Sequence, residues 1–420
     1  MKNNFKFNFT ILIFLFFIQS CSSNQEKAEG DRIEVFDKDV FFEDKISNFT
    51  SSFPKPKVVE EWNSSFGNNL GLQFNFKFDG NYKILWKKNI DKSSIFISPV
   101  ISNNKIFVLT EKGNVVSLNS EGQEIWRTNI LPVDEESGFL TGGGITLNNS
   151  KLIVTTSFGD IITLSRDDGK ILWRNNFDGS FNMGATILDN RIYLISSKGL
   201  ALCLSSEGEI IWSFLGPYEK RSIVNEPSPV IINKNILLPF NTGFLKLVDS
   251  TTGIDIWSYE SKSFDFGNAR SVIPGFSSSI MVSENQILTS NFSGQTRAID
   301  FDGNLIWSNR FNSNDDIVQI DENIFLIDKL ERIVIINRKN GKVINTKKIP
   351  NKNKSYIFGL KLVNSSIFIL YDNGKLKKYD VDEETIIDLL DLKKKISSNF
   401  VTTSNIIYLG TSSGDLIAIR

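Results

Sequence analysis

Histidine is missing from all 420 residues. Its absence removes the commonest general base, the commonest metal ligand and every Ser-His or Cys-His nucleophile pair. Cysteine is nearly missing, with only Cys21 and Cys203 present. Cys203 lies in the apolar run "LALCLS" and reads as a small buried hydrophobe. A formal net charge of −1, with no clustered Lys/Arg stretch, excludes a dedicated nucleic-acid binder, which needs a basic face to displace counterions. Long apolar runs are also lacking. "ILIFLFFI", from Ile11 to Ile18, falls well short of the about 20 residues that span a bilayer. No extended stretch repeats apolar residues at i, i+3, i+4 and i+7, so helices are few. What remains is 40% hydrophobic residues and only ten prolines, enough for a large core.

The N-terminus reads as an export signal. Lys2 and Lys6 supply a positive region, Ile11 to Ile18 an apolar one, and "IQSC" a small residue before Cys21. "IQSC" resembles the lipobox of bacterial lipoproteins, in which the chain is cut before the cysteine and that cysteine is acylated. The resemblance implies a signal peptide over 1–20 and lipid on Cys21. Ser22, rather than aspartate, implies outer-membrane sorting. Several acyl chains on one residue hold a soluble domain firmly, where one chain is marginal. With Cys21 modified, no intramolecular disulfide can form, although the compartment would allow one. Residues 21–71, with "NQEKAEGDR", "SNFTSSFPKPK" and "SSFGNN", read as the acylated N-terminus and a polar tether.

From Leu72 to Arg420 a repeat takes over. "GQEIW" at Gly122, "GKILW" at Gly169, "GEIIW" at Gly208, "GIDIW" at Gly253 and "GNLIW" at Gly303 each set glycine four residues before tryptophan. Ahead of each stands a hairpin pattern of two apolar runs about a turn, such as "KIFVLTEKGNVVSLN". Eight such hairpins start near Lys105, Lys151, Arg191, Asn235, Gln286, Asn323, Ser366 and Asn405, with a mean period of about 43 residues. A weaker run precedes each hairpin and a Trp-bearing run follows, giving four strands per repeat. The chain is therefore predicted to be all-β, an eight-bladed β-propeller of four-stranded blades. Gly142 to Gly144, Gly184, Pro229 and Gly275 fall in the innermost runs, where space is least.

Within this frame Trp86, Trp126, Trp173, Trp212, Trp257 and Trp307 are predicted to fill the seams between blades. The glycine supplies the positive φ that starts each outer strand. Two repeats depart from the pattern: Asn345 follows Gly341, and Glu384 and Asp388 stand where Gly and Trp would fall. Trp86 precedes the first hairpin while the last stops at Arg420, so an N-terminal strand is predicted to complete the C-terminal blade.

Hairpin, short polar turn and Gly-x-x-x-Trp, repeated over roughly residues 80–420, resemble the repeats of pyrroloquinoline-quinone enzymes. Those enzymes carry a Cys-Cys pair, calcium ligands and a basic cofactor clamp, none of which is recognisable here. With its lipobox and length, the chain instead resembles the BamB family, lipoproteins of the outer-membrane β-barrel assembly machinery. "VVEEWNSSFGNNLG", with Trp62, is similar to the lead-in of α-proteobacterial members. The resemblance implies a non-catalytic scaffold without cofactor or metal, present as one copy within a complex. Loops on one face would hold the periplasmic domains of BamA. The family's Arg-containing loop corresponds to "YEKRSIVNEPSPV", with Arg221 and Glu226 as contact candidates. At its Asp-x-Asp loop this chain reads "FDFGNARSVIPG", with Ala269 and Ser271 at the acidic positions, leaving Asp265 and Arg270 as candidates. Phe139, Tyr218, Phe264 and Phe266 lie in these loops and in a third, "LPVDEESGFL". A quinone-dependent dehydrogenase and a ligand-binding periplasmic propeller stay as alternative readings.

The anchor is testable directly. Cys21→Ser cannot form the thioether, so the variant is expected in the soluble periplasm or as unprocessed precursor on fractionation. Recovery in the outer-membrane fraction at wild-type mobility would exclude the lipoprotein reading.

Overall fold

The computed structural model describes residues 52–65, 74–131, 138–219, 227–261, 275–311, 313, 316–350 and 355–420. They form eight blades, each built on a four-stranded antiparallel meander. Blade 1 runs inner to outer through Val100–Ser102, Lys105–Leu109, Asn114–Asn119 and Glu124–Asn129. Blades 2 to 7 repeat this order, with inner strands Gly143–Asn148, Thr186–Leu188, Val230–Ile232, Met281–Ser283, Val318–Ile320 and Ile357–Val363. Blade 8 joins the two ends of the ring. Val401–Thr402, Ile407–Gly410 and Asp415–Ile419 come from the C-terminus, and Ile84–Asn89 adds the outer strand, with Trp86 opposite Ala418.

The burial pattern explains why the middle strands are continuous apolar runs. In a strand, successive side chains point to opposite faces, and in a propeller both faces of a blade meet another blade. Phe107, Leu109 and Val115 of blade 1 therefore pack against Leu152, Val154 and Ile162 of blade 2. The alternate residues Ile106, Val108 and Val116 pack toward blade 8 with Leu409, Leu416 and Ile417. Outer strands have only one covered face, and their burial alternates: in Glu124–Asn129 Trp126 is buried while Ile125 and Arg127 are exposed. Inner hairpins turn on two residues in the left-handed region, such as Asn103 (φ 51°) and Asn104 (φ 59°), as a type I′ turn requires.

The tryptophan and glycine of the repeat meet, but across blades. Each indole Nε1–H donates to a turn carbonyl of the next blade: Trp86 to Ser120, Trp126 to Arg166, Trp173 to Ser206, Trp212 to Ser250, Trp257 to Phe301 and Trp307 to Arg338. The ring then lies under that turn's glycine. A Cβ on Gly169 would fall 2.4 Å from the Trp126 ring, and one on Gly303 2.8 Å from Trp257. Positive φ (71° at Gly169, 88° at Gly303) is thus one of two demands on this residue; the other is the absence of a side chain. Register slips by one residue before each tryptophan, as between the pairs Leu118–Glu124 and Ser117–Trp126. This bulge leaves Ile125 unpaired on the outer edge.

The divergent repeats build other seams. Between blades 6 and 7, Asn345 donates to the Glu384 carboxylate at 3.1 Å, and Lys347 reaches the Glu384 carbonyl and carboxylate. Glu384 takes the glycine slot with φ 50°. In blade 7 the tryptophan's register position is taken by Ile387, opposite Lys378, while Asp388, at the tryptophan's spacing in sequence, pairs with Lys377 of its own blade.

Two glycines separate the two demands. Gly294 has φ 98° and nothing within 4 Å of a built Cβ, so Gly294→Ala is expected to cost about 1 kcal/mol of left-handed strain. Gly169→Ala adds the collision with Trp126 and should cost about 1–3 kcal/mol more. Thermal melting of the two variants checks the order; equal losses would remove the packing half of the explanation.

Candidate functional site

Two regions of the ring carry features that packing alone does not require. The first is the face where outer strands lead to the next inner strand. Ile130 N–H donates to Gly113 O, Gly216 to Gly199 and Ser261 to Gly243. Each outer strand therefore ends beside the second hairpin turn of its own blade, and the connections begin on one common face. Phe139, Leu215, Tyr218 and Tyr356 are exposed on these connections or at the strand end leading into them. Asn241 supports one of them: its side chain accepts from Glu219 N–H at 2.9 Å and donates to Ser197 O and Glu219 O. Arg221, Glu226, Asp265 and Arg270, together with Phe264 and Phe266, lie outside the described residues.

The second region is the axial mouth on the opposite face, among the first hairpin turns. Sequence patterns place residues 21–71 in the tether, yet the chain from Phe53 to Ser65 lies against the inner strands. Trp62 is only 6% exposed and exchanges backbone hydrogen bonds with Ile101. Its indole donates to Thr402 O at 2.7 Å. The ring packs on Phe76 in a tilted pair, centroids 5.1 Å apart and 30° between planes, and lies under the Lys361 ammonium, 5.1 Å from the ring centre. Lys361 also faces Phe400, at 5.6 Å, and its ammonium lies 3.9 Å from the Asp316 carboxylate. The physical cause of this docking is backbone demand: short inner strands leave N–H and C=O groups facing the axis, and the segment pairs with them.

Neither Trp62 nor Lys361 stands out as a site residue in the sequence. The available signals are weak: a tryptophan outside the repeat, and a lysine inside the apolar strand "IFGLKLV". Among the described residues no group of three or more His, Cys, Asp or Glu is placed to hold a metal ion. Cys203 is buried, and burial pushes its thiol up to about 11. At neutral pH it is a protonated core residue.

The fold and these regions define an eight-bladed propeller of the quinoprotein repeat type, with exposed aromatic residues on one face and its axis occupied from the other. A sequence profile of the family described as "Outer membrane protein assembly factor BamB" matches residues 112–347, more than half of the chain, and the chain belongs to that family. A protein of Rickettsia conorii is 22% identical over 392 residues, covering 88% of this chain and 93% of its own length. BamB of Yersinia pestis is 20% identical over 304 residues, 69% of this chain and 72% of that protein. Among solved structures, BamB from Moraxella catarrhalis superposes with a TM-score of 0.69 at 15% identity, over 81% of this chain and 99% of that one. The quinohemoprotein alcohol dehydrogenase from Comamonas testosteroni shares the fold at a TM-score of 0.64 and 11% identity, over 86% of this chain and 81% of that one.

Lys361 supplies a pH test. Burial lowers its pKa below the ordinary lysine value, against the opposing pull of Asp316. The unfolded chain then holds this proton more tightly, so the group subtracts stability below its folded pKa. That cost fades as pH rises from the folded value toward the ordinary value of about 10.4. Lys361→Met keeps the length of the side chain and is expected to raise Tm by about 1–3 °C at pH 7, with the gain shrinking toward pH 10. A lower Tm at pH 7 would show that Asp316 and the two rings outweigh desolvation.

Proposed function

We propose that this chain is a non-catalytic, lipid-anchored scaffold of the outer-membrane β-barrel assembly machinery. It binds the periplasmic domains of a BamA-type protein through loops on one face of the propeller. The observation that carries this reading is family membership: the family is described as an assembly factor, and the match falls on the propeller itself. The loop face supports the reading. Rigid blades support connections that expose Phe139, Leu215, Tyr218 and Tyr356, the residue types that form the apolar centre of an interface, beside charged residues suited to its rim. Arg221, Glu226, Asp265 and Arg270 are the rim residues proposed to contact the partner. The anchor at Cys21 would place the ring on the periplasmic side of the outer membrane.

The same repeat in quinone-dependent dehydrogenases shows only that the fold serves both catalysis and scaffolding. Two features favour scaffolding in this chain. Histidine is absent from the sequence, and the axial mouth holds the chain's own Trp62.

Pull-down with purified BamA-type periplasmic domains from the same bacterium tests the reading. Arg221→Glu and Arg270→Glu are each expected to weaken capture about 10-fold or more while leaving Tm unchanged. Full capture by both variants, and by a chain with all three long loops cut to short turns, would place the partner elsewhere.

A further inference from the structure

Blade 8 takes its outer strand from the N-terminal end of the ring, and its seam with blade 7 has lost the tryptophan clasp. Exposed Ile387 pairs with Lys378 at the register position that tryptophan takes in the other blades, and Asp388 turns back to Lys377. The segment 52–65 crosses this region. Phe53 packs on the core shared by blades 6 and 7. Pro54 O accepts from Asn75 Nδ2 at 2.7 Å, and Lys57 pairs through its backbone with Asn75 and Lys77. Asn75–Phe76 in turn runs parallel to the inner strand of blade 7. Glu60 accepts from Ser404 of blade 8, and Trp62 donates to Thr402 of the same blade. Trp62 also exchanges two backbone bonds with Ile101 of blade 1, and Glu61 accepts from Ser102. Farther along, Asn63 O accepts from Leu147 N–H at 2.7 Å and Ser65 N–H donates to Ile145 O at 3.0 Å, both in blade 2.

One extended segment therefore bonds directly to blades 8, 1 and 2, reaches blade 7 through Asn75–Phe76 and the Lys361–Trp62 contact, and bridges both seams of the closing blade. Backbone pairing supplies the affinity, as when an extended peptide adds to a strand edge. A single buried aromatic, Trp62, supplies the anchor, seated between Phe76 and Lys361 with its N–H satisfied.

We propose that the axial mouth is a peptide groove whose resident ligand is residues 52–65, and that this contact is a second, inner closure of the ring, replacing the missing tryptophan clasp between blades 7 and 8. The outer closure, Ile84–Asn89 on Asp415–Ile419, holds the rim of blade 8. The inner one holds its axial end. The groove selects an extended chain with one large aromatic side chain bearing an N–H.

The full chain with a protease site inserted between Ser65 and Phe74 tests this. After cleavage, the fragment ending at Ser65 is expected to remain bound through size-exclusion chromatography, and hydrogen exchange in blades 7, 8 and 1 should match the uncut protein. With Trp62→Ala the cut fragment should dissociate about 30-fold faster or more. Exchange should then rise in blades 7, 8 and 1 while blades 3 to 5 stay protected. Trp62→Phe, which keeps the ring and loses the N–H, should fall between the two, and it alone decides the matter if the alanine variant does not fold. Immediate loss of the wild-type fragment with exchange unchanged would overturn the proposal. So would a uniform rise around the ring, or retention of the Phe fragment equal to wild type.

Discussion

The ring depends on one contact, made six times: an indole from an outer strand slides under the glycine of the next blade's last turn and donates its N–H to a carbonyl of that turn. A sheet with two apolar faces cannot stand alone in water, and the contact sets how closely the neighbouring sheet approaches. Glycine is required because the ring occupies the volume that a Cβ would fill. The hydrogen bond is required because an indole N–H buried without a partner costs free energy. Together they set the distance between blades and, through it, the packing of Phe107, Leu152 and their counterparts in the six seams that have the contact.

Where this contact is lost, the substitutes differ in kind. Blades 6 and 7 exchange it for a polar latch of Asn345, Lys347 and Glu384, exposed to water and worth correspondingly less. Blades 7 and 8 have aliphatic packing from Leu389, Leu390 and Leu392, crossed at the axis by the segment that carries Trp62. Seam chemistry is therefore uneven around the ring, with the divergent joints gathered beside the closure. Local opening is governed by such differences in burial and bonding.

The two faces are correspondingly unlike. On one, connections of uneven length carry exposed aromatic and aliphatic residues on a rigid support. On the other, tight hairpin turns surround the axis, where Trp62 lies against the inner strands with the Lys361 ammonium over its ring. A partner-binding scaffold needs the first arrangement. The second places a costly buried cation where an apolar residue would pack, and its proximity to Trp62, Phe400 and Asp316 is what the structure offers in compensation.

Much of this fold is legible in sequence because its determinants are local. Two-residue alternation, turn residues and the Gly-x-x-x-Trp spacing each act over fewer than about ten positions, and their recurrence at about 43 residues marks a propeller. Seven of the eight second strands begin at the residue where the pattern places them, Lys105 to Ser366, and the last begins at Ile407 rather than Asn405. The pairing of Trp86 with the C-terminal blade could be read because an incomplete unit at each end has only one way to close. Other features became visible only in three dimensions. The steric role of Gly169 belongs to a tryptophan in another repeat, and the seat of Trp62, itself outside the repeat, is made by inner-strand residues of three blades, Ile101, Lys361 and Thr402, up to 340 positions away. Local spacing specifies the blade; contacts between residues distant in the chain, which leave no periodic trace, decide how the ring is locked and what fills its axis.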